Sequence, residues 1–196
     1  MSIEHKITEI RWHGRGGQGA KTAALLFAEI IIQTGEYYIQ AFPEYGPERM
    51  GAPVQAFNRV SKNIITIHSN IINPDYVVVL DSSLLESNQV TSGLKCTSKI
   101  IINTALSSYA VSMKIHFNKD NIYVVNASNI SIETVGKNIP NAPMLGALIK
   151  IVGNIDLNMS LNSVKNKLLD KFRNKPEVVN GNLNAISRAF QEVKNN

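Results

Sequence analysis

Short continuous apolar runs separated by mixed helical patterns dominate the chain, and the two periods assign most of its elements. Ile7 to Trp12 reads as a first strand. Ala20 to Gln33 reads as a helix, since Ala23, Ala24, Leu25, Leu26, Phe27 and Ala28 give it an apolar, largely helix-favouring stretch and Gly35 suits a C-terminal cap. Tyr37 to Phe42 then makes a second strand, so the chain opens as strand, loop, helix, strand, the start of an α/β fold. Pro43 to Pro53 holds Pro43, Gly46, Pro47, Gly51 and Pro53 and is expected to be an ordered surface loop. Val54 to Val60 fits a strand; after the turn-like Ser61-Lys62-Asn63, Ile64 to His68 is expected to be its antiparallel mate, making the sheet mixed.

Tyr76 to Leu80 is an unbroken apolar run ending in Asp81, the pattern of a strand buried on both faces. Ile100 to Ile102 and Ile122 to Val125 repeat it, ending at Asn103 and Asn126. These polar residues either sit at the carboxyl edge of the sheet, where α/β proteins hold ligands, or simply cap loops. Ala142 to Val152, Val164 to Phe172 and Asn182 to Val193 read as helices. The expected architecture is one α/β domain over residues 1–196, a three-layer Rossmann-like fold with a mostly parallel, mixed sheet.

Composition narrows the function classes. With 196 residues, 44% hydrophobic and 18% charged, the chain can bury a core. Its longest apolar stretch, Ala23 to Ile32, is interrupted by Glu29 and falls short of the roughly 20 residues that span a bilayer. Glu4, His5 and Lys6 precede no long apolar core of a signal peptide, so a cytoplasmic protein without a membrane partner is expected. Cys96 is the one cysteine, which excludes an internal disulfide and a thiolate cluster for metal. The net charge of +5 is spread without a basic run interleaved with aromatics. It fits an anionic small molecule or an acidic protein partner better than a nucleic acid.

The candidate chemistry centres on Gly14-Arg15-Gly16-Gly17-Gln18-Gly19, where a glycine-rich turn brings backbone N–H groups and the positive end of the next helix to one spot. Gly14, Gly16 and Gly19 fit G-x-G-x-x-G in its proper strand-to-helix context. A dinucleotide site also needs an acid closing the second strand, and here Glu44 follows only after Pro43. The P-loop template fails too: Ala20 intervenes before Lys21 and Thr22, turning the lysine by about 100°. Arg15 projects from the turn, either to grip a phosphate or to lie solvated. Glu44, Tyr45, Glu48, Arg49 and Met50 mix charge with bulky apolar groups, as a protein–protein contact does. His13 beside the loop is either structural or a general base. Ser82, Ser83, His5, His68 and His116 make no nucleophile arrangement, so no catalytic residue is assigned.

Four segments carry a specific resemblance: residues 10–20, with the glycine motif; residues 40–53, Gln40-Ala41-Phe42-Pro43-Glu44-Tyr45-Gly46-Pro47-Glu48-Arg49-Met50-Gly51-Ala52-Pro53; residues 75–81; and residues 141–147, Asn141-Ala142-Pro143-Met144-Leu145-Gly146-Ala147. In that order they resemble the gamma subunit of 2-oxoacid:ferredoxin oxidoreductases, most of all the pyruvate type. The resemblance implies a multi-subunit enzyme that converts pyruvate and coenzyme A (CoA) to acetyl-CoA and CO2 while passing two electrons to ferredoxin. It implies alpha, beta and delta subunits as partners, with thiamine diphosphate, Mg and [4Fe-4S] clusters held by those chains and no cofactor bound by this chain alone. Gly14, Arg15, Gly16, Gly17, Gln18 and Gly19 become candidates for a CoA phosphate or a subunit contact, and Glu44, Tyr45, Glu48, Arg49 and Met50 for the partner interface. A stand-alone NAD-type oxidoreductase and a scaffold subunit that binds no ligand are the alternatives.

Overall fold

The apolar runs become strands because each has a helical layer to bury it. The computed structural model describes residues 7–44 and 49–196. One sheet holds β1 (Thr8–Arg15), β2 (Tyr38–Pro43), β3 (Pro53–Ser61), β4 (Tyr76–Val79), β5 (Lys99–Asn103) and β6 (Ile122–Val125), in the order β2-β3-β1-β4-β5-β6. The β1·β4, β4·β5 and β5·β6 pairs are parallel, and β3 runs antiparallel to both β1 and β2. The sheet is therefore mixed and mostly parallel, as the strand pattern predicts.

Alternation along the strands divides two cores. Ile10, Trp12, Ala56, Val78, Leu80 and Ile101 face α1 (Ala20–Thr34), α4 (Ala127–Val135), α5 (Asn141–Val152), α6 (Leu157–Lys171) and α7 (Pro176–Glu192). Val77, Val79, Ile100, Ile102, Ile122 and Val124 face the other way, onto Leu84, onto Val90 of α2 (Asn88–Thr91) and onto Val111 of α3 (Ser108–Ile115). This gives the expected three layers. The helices α3 and α4 escape the sequence reading because they are short; their caps, Ser107 and Asn126, accept the Ala110 and Asn129 N–H groups. Likewise α6 begins at an Asp156 cap that accepts from Met159 N, well before the Val164 expected, and α7 begins at Pro176 rather than Asn182.

One expected strand does not form. Ile64 to His68 is irregular, because β3 already has β1 on one side and β2 on the other and has no ladder position left. Side chains take its carbonyls instead. Gln40 Nε2 donates to Ile65 O, while Arg59 Nη1 and Nη2 donate to Ile67 O (3.3 Å) and Ser69 O (2.6 Å). Arg59 is 1% exposed, its Nε 2.9 Å from Glu9 Oε1 and its guanidinium 5.4 Å from the Phe42 ring. Among the described residues no helix is long and apolar enough to cross a membrane.

Candidate functional site

The four resembling segments meet at the glycine loop. At its first contact, Gly16 N donates to Ala52 O (2.8 Å) and Gly51 N donates to Gly16 O (3.1 Å), zipping the loop to the chain entering β3. A Cβ on Gly16 would collide with the Arg49 carbonyl oxygen, so only glycine permits this approach. Gly17, at φ 98°, packs under Met50, whose sulfur would lie 2.7 Å from a Cβ there. Gly19, left-handed at the N-terminus of α1, abuts the side chain of Asn141 at the start of α5.

The second anchor is Asp81, just past β4. Parallel pairing sets His13 opposite Val79, and Leu80 N donates to His13 O (2.8 Å), which puts Asp81 beside the start of the loop. Gln18 bridges the two: its Oε1 accepts from Arg15 N (2.7 Å) and its Nε2 donates to Asp81 Oδ2 (2.7 Å). Ser83 donates to Asp81 Oδ1 from both N (3.0 Å) and Oγ (2.6 Å). Burial would raise the Asp81 pKa, but the hydrogen bonds from Ser83 and Gln18 and the Arg15 charge outweigh it, and the carboxyl stays below its ordinary range.

Arg15 does not project free of the turn. Its Nε lies 3.3 Å from Asp81 Oδ2, its Nη2 donates to Ser83 Oγ (2.8 Å) and its Nη1 to Gly51 O (3.2 Å). The side chain thus spans both loops and is 35% exposed to solvent. A nearby carboxylate was not foreseeable from the local sequence, because Asp81 reaches the loop only through the β1·β4 pairing.

Between the two loops opens a cleft of about 590 Å3, lined by Arg15, Gly16, Gly17 and Gly19, by Lys21 and Thr22 of α1, and by Glu44, Arg49, Met50 and Gln55 across from them. That volume falls within the ordinary range for ligand pockets, roughly 300–1,000 Å3. Lys21 and Arg49 have no ion-pair partner among the described residues, and Met50 is 88% exposed. The structure thus brings Arg49, Met50 and Glu44 to the glycine loop; Tyr45 and Glu48 lie outside the described residues. Gly14, the first motif glycine, lies in β1 one residue before its end, and a Cβ there would meet only ordinary contacts.

Other candidates resolve as structural. His13 is 2% exposed and accepts from Arg11 Nε at 2.9 Å; burial and the Arg11 charge push its pKa down to about 3, so it stays neutral. Asn103 is tied to Leu80 O (2.8 Å) and Ser128. Asn126 caps α4. Of the three strand-end polar residues, only Asp81 reaches the cleft loops.

The chain matches the pyruvate ferredoxin/flavodoxin oxidoreductase family over residues 9–192. It is similar to the pyruvate synthase subunit PorC of Thermotoga maritima, 42% identical over 194 residues, with 99% of this chain and 98% of that one covered. It is equally similar to the pyruvate/ketoisovalerate oxidoreductases common subunit gamma of Pyrococcus abyssi, 42% identical over 188 residues, covering 96% and 98%. The crystal structure of the pyruvate oxidoreductase subunit PORC of T. maritima has the same fold, with a TM-score of 0.80 at 40% identity and coverage of 96% and 98%. Sequence, fold and the convergence of the four motifs agree: the chain belongs to the pyruvate ferredoxin/flavodoxin oxidoreductase family, among its gamma subunits.

Proposed function

We propose that this gamma subunit serves a pyruvate-type enzyme and offers its cleft to the catalytic subunits and to the phosphates of CoA. The supporting observation is the cleft itself, where Lys21 and Arg49 face the glycine loop with their charges unpaired among the described residues. Pyruvate and CoA become acetyl-CoA and CO2, and the two electrons released pass to ferredoxin. Alpha, beta and delta subunits complete the enzyme in this reading.

The donor set of this chain does not fit an iron–sulfur cluster, which takes four protein ligands where Cys96 offers one. Among the described residues no three His, Cys, Asp or Glu side chains gather for a metal ion. In this reading thiamine diphosphate, Mg and the clusters belong to the partner subunits. The residues of this chain bind and orient: Lys21 and Arg49 attract anionic phosphate, and Glu44 with exposed Met50 rims a protein contact. The NAD-type alternative lacks support, since β3 runs antiparallel between β1 and β2, so the strand after α1 does not lie beside the glycine loop as a dinucleotide half requires.

The test is purification of the tagged chain from its host, followed by kinetics of the complex. The partners are expected to be 2-oxoacid oxidoreductase subunits, with no turnover by this chain alone. Lys21→Ala and Arg49→Ala are each expected to raise the apparent KM for CoA about 10-fold, equivalent to roughly 1.4 kcal/mol, with that for pyruvate unchanged. Unrelated partners would overturn the reading, and an unchanged KM in both variants would remove CoA from it.

A further inference from the structure

We infer that Asp81 is a positioning residue, the acceptor that holds Gln18 and Arg15 in place so that the glycine loop and the Arg49–Ala52 segment present one fixed surface; the inference rests on the cleft reading above. The polarity of the hydrogen bonds carries it. A carboxylate only accepts and a backbone N–H only donates, so the Gln18 amide has one orientation that satisfies both Asp81 Oδ2 and Arg15 N, each at 2.7 Å. Arg15 then reaches from Asp81 and Ser83 across to Gly51 O, clamping one loop to the other. Asp81 Oδ2 takes both Gln18 Nε2 and Arg15 Nε, and Ser83 fixes its second oxygen.

The isosteric change Asp81→Asn tests this because it replaces one acceptor by a donor. Its Oδ1 can still accept from Ser83, but its Nδ2 faces Gln18 Nε2 and Arg15 Nε. Flipping Gln18 only moves the mismatch to Arg15 N, so one Gln18 bond is lost in either orientation, together with the Arg15 Nε contact. Gln18→Glu creates the converse fault, a second carboxylate against Asp81. The double variant D81N/Q18E restores the bridge, with the carboxylate now at position 18 accepting both from Arg15 N and from the amide now at position 81, while the Arg15 Nε contact to position 81 stays lost. Rescue by a partner of opposite polarity shows that the two side chains act through each other.

In the assembled complex, D81N and Q18E are each expected to raise the apparent KM for CoA about 5- to 20-fold with kcat within about 2-fold, and D81N/Q18E to recover part of that loss. Amide exchange at residues 16–19 and 51–52 should quicken at least about 10-fold in each single variant and slow again in the double. Unchanged exchange at these amides in either folded single variant overturns the inference, as does a double variant no better than D81N. Should D81N fail to fold, Q18E alone still decides it by the same exchange measurement. If the exchange pattern appears but CoA kinetics follow neither these variants nor those at Lys21 and Arg49, the CoA reading fails while Asp81 keeps its role in shaping the loop.

Discussion

Replacing Gly16 by alanine puts a methyl group where the Arg49 carbonyl oxygen stands, with Arg49 C at 3.1 Å and Gly51 N at 3.3 Å. These are backbone atoms and cannot swing aside as a side chain would. Keeping the native pairing against that overlap costs about 1–3 kcal/mol in strain, by the measure of overpacked cores. Opening the two loops instead forfeits the Gly16 N to Ala52 O and Gly51 N to Gly16 O hydrogen bonds, each worth about 0.5–1.5 kcal/mol. The two routes are comparable, so the loss is about 1–3 kcal/mol. At roughly 2–4 °C per kcal/mol for a chain of this size, Tm is expected to fall by about 2–12 °C. Gly14→Ala is the internal control: a Cβ there would meet Ala20 Cβ at 3.4 Å and Leu80 Cβ at 3.5 Å, ordinary contacts, and its stability should stay within about 0.5 kcal/mol. Thermal unfolding of both variants, with amide exchange at Gly16 and Gly51, checks the argument. Equal melting temperatures and equal exchange in the two variants would refute the close approach.

Two further outcomes follow from the buried polar groups. His13 is held neutral in the fold with its pKa lowered from 6.5 to about 3, so the unfolded chain takes up the proton first on acidification; the stability is complete above pH 6.5 and is lost progressively toward pH 3. His13→Gln, which can still accept from Arg11, should flatten that limb in denaturant titrations between about pH 6.5 and 4.5, and parallel curves for the two proteins would sink the idea. Arg59→Met strips Glu9 of its ion pair and the Ile67 and Ser69 carbonyls of their donors. It should lower stability by about 3 kcal/mol or more and speed proteolysis within residues 64–72, and a variant as resistant as the parent would show that these bonds do not hold the segment.

The central strands, the first helix and the family were legible in the chain itself. Continuous apolar runs such as Tyr76 to Leu80 have room only in the middle of a layered α/β sheet, and the helix from Ala20 is bounded by Gly19 and Gly35 as local chemistry requires. The glycine loop and the Pro/Gly-rich loop could each be marked as a site because special backbone chemistry is local. Pairing is not local, and there the sequence ran out. Ile64 to His68 has the apolar content of a strand, but pairing with β3 depends on a free side of that strand, and β1 and β2 occupy both. The same holds for the site. Arg15 reads as a free cation from its neighbours in sequence, yet the β1·β4 register delivers Asp81 to it from a distant part of the chain, and the packing of α5 brings Asn141 against Gly19. Sequence marked Arg15 and Arg49 for an anion or a partner and passed over Lys21; tertiary structure committed Arg15 to Asp81 and left Lys21 and Arg49 facing the cleft.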